Sequence, residues 1–124
     1  MVHNNVEVFV VDDNRDAADS LSMLIQCLGH TAAPYYDGES TLQAARAEAP
    51  LCVFLDVNMT GMNGLQLAKA LRREFGDDII LVAVTGAPQE DVTVAQTFET
   101  VDHYYIKPVT IAQVKKILSP QAVK

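Results

Sequence analysis

Apolar residues along this chain come in short unbroken runs, and the runs alternate with longer stretches of helical spacing. Val6 to Val11 shows little in–out alternation, as expected of a parallel strand covered on both faces. Asn14 is placed to cap a helix in which Ala17, Ala18, Leu21, Leu24, Ile25 and Leu28 recur on one side, with Gly29 ending it. Thr31 to Tyr36 reads as a second strand, and Pro34 inside it marks a sheet edge. Asp37-Gly38 reads as a turn before an Ala-rich helix, Ser40 to Ala49, closed by Pro50. A third strand, Leu51 to Leu55, leads through a loop with Gly61 and Gly64 into a helix. That helix has Leu65, Leu67, Ala68 and Leu71 inward and Lys69, Arg72, Arg73 and Glu74 outward. Phe75 to Asp78 turns into a fourth strand, Ile79 to Val84.

A helix over about Gln89–Phe98 follows, with Pro88 near its first turn. Its apolar face (Val92, Val94, Ala95, Phe98) is poor, and its Val and Thr residues make it the least stable element expected. His103 to Ile106 is a fifth strand. Thr110 caps a last helix with Ile111, Val114, Ile117 and Leu118 inward. Strand and helix alternate five times, which implies a doubly wound α/β fold with a five-stranded parallel sheet and five helices. Right-handed crossovers and strand order 2-1-3-4-5, the flavodoxin-like arrangement, would set the first and third strands side by side at the switch point.

That topology changes the meaning of the residues at the strand ends. The first strand ends in Asp12-Asp13, the third in Asp56, the fourth in Thr85-Gly86 and the fifth in Lys107-Pro108. Each has an ordinary explanation alone: a capping Asp, a Thr before a turn, a surface Lys. At four strand ends on the ligand-binding side of one sheet they form a constellation. Clustered carboxylates raise one another's pKa unless a cation intervenes, and Mg²⁺ suits such a site. A carboxylate can also attack a phosphoryl group and carry it as an acyl phosphate. Phosphoryl transfer then needs in-line positioning and charge neutralisation, for which Lys107 offers a point charge and Thr85 a hydroxyl donor.

Composition narrows the alternatives. The chain has 124 residues, 49% of them apolar and 20% charged, which suits one domain with its own core. The expected domain is 1–124, with its core over about 6–118 and tails at 1–5 and 119–124. The net charge of −7 argues against direct nucleic-acid binding. No apolar run approaches a membrane span and the first residues lack the regions of a signal peptide, so a cytoplasmic location is expected. Cys27 and Cys52 lie inside apolar patterns and are expected as buried thiols. His3, His30 and His103 have no companions at zinc-ligand spacing.

Val11-Asp12-Asp13, Phe54-Leu55-Asp56-Val57-Asn58-Met59, Val84-Thr85-Gly86 and Ile106-Lys107-Pro108 together resemble the receiver domain of two-component response regulators. The resemblance spans about Val6 to Leu118. It implies that Asp56 accepts a phosphoryl group from a histidine kinase or histidine phosphotransfer protein. It implies Mg²⁺ held by Asp13, Asp56 and the Asn58 carbonyl, with Asp12 assisting through water. Thr85 and Lys107 would contact the phosphoryl oxygens, Gly86 would keep the approach open, and Lys107-Pro108 would be a cis peptide. Tyr104 matches an aromatic position that works with the Thr as a switch of the surface around the fourth helix and fifth strand. Such a domain is no general enzyme: it catalyses its own phosphorylation and dephosphorylation.

Two positions depart from the family pattern. Thr60 stands where Pro usually follows Met59, and Thr100 replaces a frequent Gly before the fifth strand. A haloacid-dehalogenase-type phosphatase would also place an Asp after an apolar strand, but needs an acid two residues on, where this chain has Asn58. A flavodoxin-like cofactor binder would need a phosphate loop after the first strand, where Asp12-Asp13 repels phosphate. A receiver of this kind is either a single-domain regulator or the receiver part of a hybrid sensor kinase.

Overall fold

Strands of almost purely apolar sequence make the middle of the sheet, because only a strand covered on both faces can keep such residues from water at every position. The structure, a computed structural model, describes residues 6–59, 61–86 and 99–118. β1 (Val8–Val11) and β3 (Cys52–Asp56) are buried throughout, and β4 (Ile80–Thr85) is buried after its first residue. β2 (Ala32–Tyr35) and β5 (His103–Ile106) are only partly covered. They form the edges of a five-stranded parallel sheet of order β2-β1-β3-β4-β5, as the alternation predicts. Pro34 lies on the β2 edge opposite Val10.

Side chains alternate between the two faces along each strand, so each strand feeds two cores. Phe9, Val11, Val53, Leu55, Leu81 and Ala83 pack beneath α2 (Gly38–Ala47) and α3 (Gly64–Phe75). Val8, Val10, Phe54, Val82 and Val84 pack on the other face beneath α1 (Arg15–Cys27) and α4 (Ile111–Leu118). Phe54 and Leu55 are adjacent in sequence, each under 2% exposed, and serve opposite cores. Full burial of one such side chain contributes about 2 kcal/mol.

Polar residues start the helices. Asn14 accepts from the Ala17 amide, Asp37 from the Ser40 amide, and Thr110 Oγ1 from the Gln113 amide. Gly29, at φ 98°, follows α1 and turns the chain where side chains rarely go. A short 3₁₀ turn, Gly76–Asp78, joins α3 to β4. Arg72 of α3 donates to the carbonyls of Gly76, Ile79 and Thr100 and to the Asp102 carboxylate, fastening the start of β5. Thr100 contributes its backbone carbonyl to this knot.

The structure corrects several expectations. Cys27 is exposed, while Cys52 is buried and desolvation pushes its thiol up. α1 buries Ala18, Ser22 and Ile25, and Cys27 lies two residues past Ile25, roughly 200° around the helix. β1 begins at Val8 rather than Val6; toward β2, the Glu7 amide donates to Thr31 Oγ1 and the Glu7 carboxylate accepts from the Thr31 amide, so side-chain atoms stand where a backbone pair would continue the strand. α2 spans Gly38–Ala47 rather than starting at Ser40, because the Asp37 cap makes Gly38 its first residue. β3 and β4 each run one residue further, so Asp56 and Thr85 are the last residues of their strands. Four α-helices lie among the described residues. The expected helix over 89–98, Thr60 and the tails at 1–5 and 119–124 lie outside them.

Candidate functional site

The register determines which strand ends become neighbours. Val11 lies opposite Leu55, so the residues that follow, Asp12 and Asp56, leave the sheet side by side. Asp56 lies opposite Val84, one residue before Thr85, and Thr85 lies opposite Ile106, one residue before Lys107. Lys107 also donates its amide to the Thr85 carbonyl at 2.7 Å, and its bond to Pro108 is cis. The strand-end residues singled out in the sequence therefore gather at the carboxyl end of the sheet.

Asp12, Asp13 and Asp56 each present a carboxylate oxygen, and these lie within 4.8 Å of one another. Asp12 and Asp56 are buried, whereas Asp13 is exposed. The Lys107 ammonium donates to Asp12 Oδ2 at 2.7 Å and stands 3.8 Å from Asp56 Oδ1. Asp12 Oδ1 also accepts from the Asn14 amide at 3.0 Å, so this carboxylate is held on both oxygens. Asp56 accepts a long bond of 3.4 Å from the Asn58 amide. Burial is the main cause that pushes the Asp56 carboxyl up to about 6, and the Asp12 charge adds to it. Lys107 and the Asn58 amide pull the other way.

The donor set is three carboxylates without a thiolate or imidazole, which fits a hard divalent cation such as Mg²⁺. Among the described residues no other such group occurs. Two positive charges would relieve the crowding that raises Asp56.

Thr85 is fully buried. Tyr104 lies opposite Ala83 and packs partly buried on the α2–α3 side of the sheet. Ala83 and Thr85 are two apart on β4, so Tyr104 and Thr85 belong to the same face. Gly86 follows Thr85 directly, and a Cβ built there meets nothing within 4 Å among the described residues.

One residue of the site was not legible in the sequence. Gly64, read as loop punctuation, is the first residue of α3 and lies against the backbone of the acid. A Cβ on it would be driven into the Asp56 carbonyl oxygen and to 2.7 Å from Val57 Cα. Asn63 and Gln66 form a reciprocal capping box around it, and the Gly64 amide donates to the Val57 carbonyl at 3.1 Å. Asn63 followed three residues later by Gln66 signals the helix start, but nothing in that pattern signals how closely Gly64 approaches Asp56. The pairing of Lys107 with Asp12 was also unforeseen.

Known proteins resemble this chain in sequence and in fold. A family model described as response regulator receiver domain matches residues 8–119. The DNA-binding response regulator MtrA of Mycobacterium tuberculosis is 32% identical over 102 residues, covering 82% of this chain and 43% of the relative. Response regulator MprA of Mycobacterium ulcerans is 29% identical over 109 residues, covering 88% of this chain and 47% of the relative. The chain thus spans about half the length of these curated relatives. Among solved structures, chemotaxis protein CheY4 of Vibrio cholerae superposes with a TM-score of 0.80 at 22% identity, covering 92% of this chain and 96% of that one. A CheY-like receiver domain from Methylobacillus flagellatus gives 0.77 at 28% identity, covering 93% and 97%. With sheet order, strand-end acids and a match over nearly its whole length in agreement, the chain belongs to the receiver domain family of two-component response regulators.

Proposed function

We propose that this chain, as one domain over 1–124, accepts a phosphoryl group on Asp56 from a phosphohistidine on a histidine kinase or histidine phosphotransfer protein. The observation that carries the reading is the cluster of Asp12, Asp13 and Asp56 oxygens within 4.8 Å, with the Lys107 ammonium 3.8 Å from Asp56. An ionised Asp56 oxygen attacks phosphorus while the phosphorus–nitrogen bond to the donor imidazole breaks. The electron pair and then a proton go to that imidazole nitrogen. Ionisation with a pKa of about 6 leaves Asp56 mostly anionic at neutral pH.

Lys107 would exchange part of its pairing with Asp12 for the incoming phosphoryl oxygens. Thr85 would donate its hydroxyl to them, and Gly86 would keep the approach clear. Asp13, Asp56 and the Asn58 carbonyl would hold Mg²⁺, with Asp12 assisting; the bound ion neutralises phosphoryl charge. Tyr104 shares a face with Thr85, which supports a coupled movement of the two on phosphorylation. In this reading the domain works in the cytoplasm, as a single-domain regulator or as the receiver of a hybrid sensor kinase. MtrA is a DNA-binding regulator; this segment, at net charge −7, would not contact nucleic acid directly.

Incubation with acetyl phosphate and Mg²⁺, followed by intact-mass analysis, tests the assignment. One added phosphoryl group is expected, lost in Asp56→Asn and with a chelator. Full labelling of Asp56→Asn would overturn it. For the switch, beryllofluoride should change the Tyr104 rotamer in solution, and an unchanged ring would exclude Tyr104 from it.

A further inference from the structure

α3 is a basic helix in an acidic chain. It holds Lys69, Arg72 and Arg73 against a single acid, Glu74, while the chain as a whole is at net charge −7. Arg72 is committed to the Asp102 carboxylate at 2.7 Å. Glu74 gives its two oxygens to Arg46 of α2, at 2.7 and 2.6 Å. Arg73 stands near enough to Glu74 to feel its charge, but that carboxylate is already forked by Arg46. Lys69 and Arg73 are exposed, and among the described residues neither has a hydrogen bond or an ion pair.

These two cations border an open groove of about 430 Å³, whose other walls are Gly61, Met62, Gln66 and Ala70. Gln66, Lys69, Ala70 and Arg73 stand three and four residues apart, so on a helix they are the corners of one diamond. Four residues so placed form the hole that receives a side chain of a facing helix. Ala70 is the short corner and is 5% exposed. Met62 continues the apolar surface toward the start of α3 and packs partly buried against the core. Gly38 of α2 gives it room, since a Cβ there would come to 2.6 Å from Met62 Sδ. An apolar strip therefore runs beside two cations that the fold leaves uncompensated.

We propose that this face of α3 docks an acidic amphipathic helix of a partner protein. One apolar side chain of the partner enters the diamond beside Ala70, a second lies on Met62, and carboxylates flanking them pair with Lys69 and Arg73. Exposed ion pairs add little affinity, so apolar contact supplies the binding and the two cations select the partner. At physiological ionic strength charges more than about 8 Å apart are largely screened, so the negative charge elsewhere on the chain does not override this surface. None of the strand-end acids lines the groove, and the docking does not rest on the phosphoryl-acceptor reading.

The test uses the unphosphorylated, metal-free domain, so its failure would leave the phosphoryl-acceptor reading untouched. The probe is a fluorescein-labelled synthetic peptide of about 20 residues, long enough to form a helix, made of Leu, Ala and Glu with Leu along one face. One control scrambles the Leu stripe at the same composition, and another carries Lys in place of every Glu. Fluorescence anisotropy gives the affinity, and the methyl chemical shifts of Met62 and Ala70 give the location. Saturable binding of the acidic striped peptide is expected, at least tenfold tighter than either control. Lys69→Glu combined with Arg73→Glu, both at exposed positions, should weaken it at least tenfold and shift preference to the Lys peptide. Absence of saturable binding by the wild type overturns the site. Equal affinity for the scrambled peptide overturns helical docking, and equal affinity for the Lys peptide overturns the choice of an acidic partner. Undiminished binding by the folded double variant, or unmoved Met62 and Ala70 methyls, overturns the location.

Discussion

Asp56→Asn should make the metal-free domain more stable while abolishing phosphorylation. The Asp56 side chain is only 8% exposed, and its carboxyl is pushed from 3.8 up to about 6, first by burial and then by Asp12. A raised pKa means the folded state holds this proton more tightly than the unfolded chain. The penalty for ionising Asp56 is therefore absent below the unfolded pKa near 3.8. It grows as pH rises through about 6 and is complete above that. A shift of that size corresponds to about 3 kcal/mol. Asn cannot ionise, and its amide oxygen can still accept from the Asn58 amide, so most of this amount should be recovered.

At roughly 4 °C per kcal/mol for a domain of this length, the variant should melt about 10 °C above wild type at pH 7.5 in a chelator. The gap should narrow to near zero at pH 4. Thermal and urea unfolding at several pH values measure it. Mg²⁺ should then raise the wild type more than the variant, because the proposed metal site would have one carboxylate fewer. A variant no more stable than wild type at pH 7.5, or a gap that does not change with pH, would refute the electrostatic account of Asp56.

Gly64→Ala should destabilise the domain by about 2 kcal/mol or more, because the new methyl is driven into the Asp56 carbonyl and Val57 backbone, which cannot yield as a side chain would; a normal melting temperature would show that α3 can shift freely. Asp13→Ala should weaken Mg²⁺ affinity more than Asp12→Ala, since Asp12 is already engaged by Lys107 and the Asn14 amide. Metal titrations giving equal losses would contradict that division. Gly86→Val should leave stability within about 0.5 kcal/mol, as its Cβ meets nothing within 4 Å among the described residues, yet slow labelling by acetyl phosphate. An unchanged rate would remove Gly86 from the approach path.

By itself the sequence determined the architecture, because local chemistry and global fold agree along this chain. Apolar runs without alternation, Val6 to Val11 and Leu51 to Leu55, suit strands covered on both faces, and both form such strands. Pro34 belongs at an edge, and five alternations of strand and helix require a parallel sheet. The same reading singled out Asp12, Asp13, Asp56, Thr85 and Lys107, since chemistry collects where parallel strands end. Tertiary structure decided what depends on approach distance rather than on pattern. Which face of α1 carries Cys27 followed from helical phase against the sheet, and apolar neighbours in sequence misled. The need for glycine at position 64 arises from backbone belonging to β3 and the loop beyond it, brought against α3 only by folding. The partner of Lys107 lies 95 residues away on another strand end, a choice made by the register of β1, β3, β4 and β5. The half-open cleft lined by Ala17 and Ser20 of α1 together with Phe54 and Val84 of the sheet is likewise set by tertiary packing.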